Sequence, residues 1–132
     1  MILSFKKQFK EKILEGTKIH TIREDKPGRW KAGRLIQAAT GVRTKNYDCF
    51  YEDNCTSTQK ILIYHYPGEA RVYVDGHEVG RAFHHGFDDI YDWTNDLEDL
   101  ALNDGFENLT GFFNWFSSDF KGKIIHWTDK KY

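Results

Sequence analysis

A chain of 132 residues, 39% hydrophobic and 16% aromatic, is long enough to bury one core and too short for two ordinary domains. Residues 1–132 are therefore read as a single domain with an aromatic-rich interior rather than as a disordered segment. The formal net charge of −1 lacks the positive excess usual in dedicated nucleic-acid binders, but it hides an uneven distribution. Residues 1–45 hold twelve Lys and Arg against four acids, and residues 46–132 hold seven against sixteen. That asymmetry points to an anionic ligand near the basic half, unless folding brings the opposite charges together. Neither a basic segment followed by an apolar run nor a stretch of membrane-spanning length is visible, so a cytoplasmic location and no membrane partner are expected. Cys49 and Cys55 are expected as free, partly buried thiols, and their spacing is not a zinc signature.

The first element is a helix. Phe5, Phe9 and Ile13 recur every four residues between lysines and a glutamate, with Ser4 as N-cap and Gly16 as stop. It leads directly into "GTKIHTIR", where Ile19 and Ile22 are interleaved with polar residues and break the period-two pattern of a simple strand. After Pro27-Gly28, Gly33 marks a turn and Leu35 to Ala39 a buried strand. "TQKILIYHY" reads as a strand, and Asp75-Gly76 between alternating apolar residues reads as a hairpin, so at least three strands should be antiparallel neighbours. Leu97, Leu100 and Ala101 have helical spacing that ends at Asp104-Gly105. Asn108 can cap a further helix carrying Leu109, Phe112, Phe113 and Phe116, with Gly111 weakening it, and "KGKIIHWT" closes as a strand. Without regular βαβ alternation, the fold class is α+β: a small, mostly antiparallel sheet curled towards a barrel, with flanking helices.

The short helix, "GTKIHTIR", "GRWKAGRLIQAATG", "GVRT" and "ALNDGFENLTGFFNWF" together resemble the ASCH domain family of PUA-like folds, from Leu3 to Trp127. The family's glycine, lysine, acid or threonine, and arginine read here as Gly16, Lys18, Thr21 and Arg23. The resemblance implies a small β-barrel with a cleft for a nucleobase or modified nucleoside. One branch similar in this segment removes the acyl group from N4-acetylcytidine. Carried over, its catalytic lysine, threonine and glutamate fall on Lys18, Thr21 and Glu107. The sequence departs from that branch in an aromatic insertion within residues 71–95, which bears on the substrate.

The residue chemistry can be weighed beside that resemblance. A threonine hydroxyl is inert until a base takes its proton, and a lysine serves as that base only when burial or nearby cations depress its pKa. Arg23 acts in that direction, whereas a carboxylate such as Glu107 stabilises the ammonium and instead orients the lysine, hydrogen-bonds a ligand or itself relays a proton. In a flat strand Lys18 and Thr21 point to opposite faces, so their joint action requires a bend between them. Arg23 and His20 are candidate ligand contacts in the same stretch, and His20 is read either as a base itself or as a half-buried, hydrogen-bonded histidine. Trp30 is placed at a cleft rim, with core packing as its alternative, and Tyr91 and Trp93 could stack a base. Arg43 and Lys45, with Arg29 and Lys31, are candidates for phosphate contacts if RNA binds. His84-His85 is read as a solvated loop, and neither metal nor cofactor is expected. The open readings are an amidohydrolase acting on acylated nucleosides, a non-catalytic RNA-binding module, and a ligand-sensing or phage-related accessory domain.

Overall fold

The structure, a computed structural model, describes the backbone of residues 1–85, 89–92 and 95–132, and the side chains of these outside 84–95. Its elements in chain order are β1 (Ile2–Ser4), α1 (Lys7–Leu14), β2 (His20–Arg23), β3 (Leu35–Thr40), β4 (Asp48–Asn54) and β5 (Ser57–Tyr66). There follow β6 (Glu69–Val74), β7 (His77–His85), β8 (Asp89–Asp92), α2 (Asn95–Asn103), α3 (Leu109–Trp115) and β9 (Phe120–His126). The α+β class stands, but the strands do not close into a barrel. They form a three-stranded sheet, β1-β3-β4, and a six-stranded sheet, β2-β9-β5-β6-β7-β8. No ladder joins the two sheets or the two ends of the larger one among the described residues. Among the described residues every pairing is antiparallel except β1 with β3.

Helix α1 buries Phe9 and Ile13 as the four-residue spacing requires. Ser4 does not cap it. Its backbone is spent in β1 opposite Ala39, so the helix starts later, with Lys6 in the cap position and no side-chain cap bond. The C-terminal end is better defined. Gly16 has φ +79°, its N–H donates to the Ile13 carbonyl, and Thr17 N–H donates to the Lys12 carbonyl, which together make a Schellman stop. Lys18 N–H shares the same Lys12 carbonyl and Ile19 N–H donates to Asn103, so the chain turns inward before β2 begins at His20.

Elsewhere the local signals are met. Asp75 and Gly76 both have positive φ, as a two-residue hairpin matched to strand twist needs. Leu97, Leu100 and Ala101 of α2 are fully buried, and Asn108 Oδ1 accepts from Gly111 N–H at 2.8 Å to cap α3. Phe106, Phe112 and Phe116 stack edge-on or tilted with one another and extend the core formed by Ile61, Ile63, Val72 and Val74. Both cysteines are free, but Cys49 on β4 is exposed rather than partly buried, while Cys55 is buried. No described helix is long and apolar enough to cross a membrane. The linear charge segregation is partly undone by pairing, since Lys10 meets Asp48, Lys12 meets Glu107 and Lys18 meets Asp104.

Candidate functional site

A cavity of about 330 Å³ opens where the β1–α1 junction, β2 and the α2–α3 turn meet. Its walls include the rings of Phe5, Phe9, Phe106 and Trp115, and its polar groups include Lys18, Thr21, Arg23 and Asp104. The expected bend is present. Lys18 precedes β2 on the turn set by Gly16, so it lines the same space as Thr21 and Arg23, which share one face of β2.

Lys18 is 2% exposed. Its Nζ donates to the Asp104 backbone carbonyl and, at 3.3 Å, to Asp104 Oδ1. It also lies 4.8 Å from the Phe9 ring centroid and 5.7 Å from that of Phe5, close enough for cation–π attraction. Burial is the dominant influence on its charge and lowers the pKa to about 8. Asp104 opposes that shift, while Arg23 and Lys12 add to it. This approach of lysine to turn requires Gly105, whose φ is +95°. A Cβ there would stand 2.9 Å from Lys18 Cδ and 3.0 Å from Phe9.

Arg23 Nε donates to Thr21 Oγ1 at 3.3 Å, its terminal nitrogen donates to the Ser4 carbonyl, and its guanidinium lies 4.9 Å over Phe5. A cationic donor on Oγ1 favours negative charge there, which is what a threonine nucleophile needs. The polar set therefore holds a buried amine with its pKa lowered to about 8, a hydroxyl contacted by a guanidinium, and one carboxylate that fixes the amine.

Other sequence-derived candidates lie elsewhere. Glu107 is outside this cavity. Its exposed carboxylate binds Lys12 Nζ at 2.6 Å in an adjoining hollow with Gln8 and Asn114, across Phe106 and Trp115, and that hydrogen bond lowers its pKa. The convergence of Lys18, Thr21 and Glu107 is thus not found, and Asp104 is the carboxylate at Lys18. The reason is geometric. Glu107 sits past Gly105 and next to the α3 cap, on the outer side of the turn.

His20 is fully buried and stands behind the cavity, where Asp104 Oδ1 and Tyr132 Oη contact its two nitrogens. Trp30 is 7% exposed and belongs to the core, so its placement at a cleft rim is corrected to the packing alternative. Arg43 and Lys45 are exposed on the β3–β4 connection, away from the lining of this cavity. His84 and His85 belong to strand β7, paired with Ile90 and Asp89 of β8, rather than to a loop, and the side chains of His84, His85, Tyr91 and Trp93 lie outside the described ones. Among the described residues no group of three His, Cys, Asp or Glu side chains is arranged to hold a metal.

Asp104 and Tyr132 are the residues that sequence reasoning missed. Asp104-Gly105 reads as a helix stop, and only the separation of 86 residues closed by the fold makes it the partner of Lys18. No family model, curated protein or solved structure matches this chain.

Proposed function

We propose that this is an ASCH-type domain whose cavity takes an N4-acylated cytidine or a related acylated nucleobase and hydrolyses its amide. The observation that carries the reading is Lys18: a buried amine with its pKa lowered to about 8, lining one cavity with Thr21 and Arg23. The aromatic walls suit a planar ring. Neutral Lys18 takes the proton of Thr21 as Oγ1 adds to the acyl carbon, and Arg23 stabilises the developing negative charge. The C–N bond then breaks, the ammonium of Lys18 returns the proton to the leaving nitrogen, and water hydrolyses the acyl-threonine. Asp104 keeps Lys18 Nζ at the cavity wall.

Incubation with a panel of N4-acylated cytidines should release free cytidine. The rate should rise with pH through about 8 as Lys18 loses its proton. Lys18→Met and Thr21→Val should each lower kcat by about 10²–10⁴-fold. Lys18→Arg should be equally inactive, because a guanidinium cannot act as base near neutrality. No turnover of any acylated nucleoside, together with RNA affinity that falls steeply as salt rises, would transfer the assignment to a non-catalytic RNA-binding module.

A further inference from the structure

Behind the cavity, the polar side chains form a line that the chemistry above does not use. Asp104 Oδ1 accepts from Lys18 on one side and lies 3.0 Å from His20 Nδ1 on the other. An ionised carboxylate only accepts, so Nδ1 carries the hydrogen. Burial lowers the pKa of His20, and the ring is neutral. Its Nε2 is therefore an acceptor, and the O–H of Tyr132 donates to it at 2.6 Å. Tyr132 Oη in turn accepts from Asn103 Nδ2 at 3.0 Å. The tyrosine is anchored by its main chain, donating to Gln59 Oε1 at 2.8 Å and accepting from Gln59 Nε2 at 2.7 Å. Each hydrogen bond from Asn103 to Asp104 thus has one assigned direction.

We propose that His20 and Tyr132 are positioning residues for Lys18: Tyr132 locks His20 in the Nδ1–H tautomer, and His20 holds the Asp104 oxygen that fixes the lysine. The inference rests on Lys18 being the working base of the cavity. The consequence concerns protonation as well as placement. The His20 N–H shares the carboxylate's charge with Lys18, so less of it is left to stabilise the ammonium. The charged or titratable groups acting on Lys18 are Asp104 from the α2 end, Arg23 from β2 and Lys12 from α1. Those packed against His20 are Asp104, Lys18, Tyr132 and His126, whose ring centroid is 5.2 Å away on β9.

The test follows the titration of Lys18 in the full chain by competitive labelling with an amine reagent, read by mass spectrometry across pH. Tyr132→Phe should raise the midpoint, and His20→Leu should raise it more, by about one pH unit, a tenfold tighter hold on the proton. His20→Asn, whose amide nitrogen can replace Nδ1–H as donor, should restore the original midpoint. Should His20→Leu not fold, Tyr132→Phe and His20→Asn still decide. A midpoint that is unchanged or lowered in folded Tyr132→Phe overturns the proposal, as does a midpoint for His20→Asn above that of Tyr132→Phe. Labelling needs no substrate, so loss of the hydrolase reading and loss of this one are told apart: absent turnover with a shifted midpoint removes only the first.

Discussion

Two lysine–carboxylate pairs connect the α1 segment to the turn between α2 and α3, and each lysine also donates to a carbonyl of that turn, Gly105 for Lys12 and Asp104 for Lys18. They are alike in charge and partner type. In the outer pair the side chains of Lys12 and Glu107 are 23% and 82% exposed; in the inner pair those of Lys18 and Asp104 are 2% and 4% exposed. Water screens the outer pair and leaves it little net effect. The inner pair lies where desolvation outweighs the attraction of the carboxylate, so the lysine is held with a lowered pKa despite its anionic neighbour. Burial, rather than the presence of a counter-ion, separates a structural lysine from one suited to base chemistry.

The most direct way to break the contrast is to remove the carboxylates in turn. Asp104→Ala should cost about 3–5 kcal/mol at neutral pH in urea unfolding, because Lys18 and His20 both lose their buried partner. Glu107→Ala should leave the unfolding midpoint unchanged within error. A comparable loss in both would mean that burial does not distinguish the pairs.

The pH dependence sharpens the same point with a somewhat smaller effect. The unfolded chain keeps the Lys18 proton up to about 10.5 and the folded chain only to about 8. Between those values the unfolded state binds more protons, and stability rises with pH. That contribution is about 3 kcal/mol as an order of magnitude. It should appear as a difference in slope between the parent chain and Lys18→Met from pH 8 to 10.5. A smaller effect is expected at the turn. Gly105→Ala should cost about 2 kcal/mol, from left-handed backbone strain and the crowding of Lys18 and Phe9, and should disturb Lys18 labelling more than it disturbs the outer pair.

What was legible in the sequence depended on the range of the forces involved. The face of α1, its stop at Gly16, the Asp75-Gly76 hairpin and the cap at Asn108 are written in neighbours a few residues apart, and the structure contains them. Ser4 as N-cap failed because a strand pairing with Ala39 took its backbone first. Strands β1 and β4 were not singled out. β1 is three residues long, and β4 buries none of its seven fully. The cavity was half legible. Lys18, Thr21 and Arg23 come from one segment, but the choice between Asp104 and Glu107, three residues apart, is made by the path of the turn in space. A local pattern contains no information on which of two nearby carboxylates faces inward.

The stop at Gly16 also works as a ruler. Lys12 is bound twice within this region, its carbonyl to the amides of Thr17 and Lys18 and its side chain to Gly105 and Glu107. One residue added to α1 between Phe9 and Lys12 would rotate everything beyond it by about 100° and advance it by about 1.5 Å. Lys18 would then lose its registration with the Phe9 ring. Length variation should accordingly be excluded between Phe9 and Lys18 in any chain that shares this cavity. It should be admitted freely in the exposed connection around Arg43, where added residues displace nothing that lines the cavity. In tracing distant kin of this protein, intervals should therefore persist longer than residue identities: two residues from the helix-ending glycine to the lysine, and one from the inward aspartate to the glycine after it.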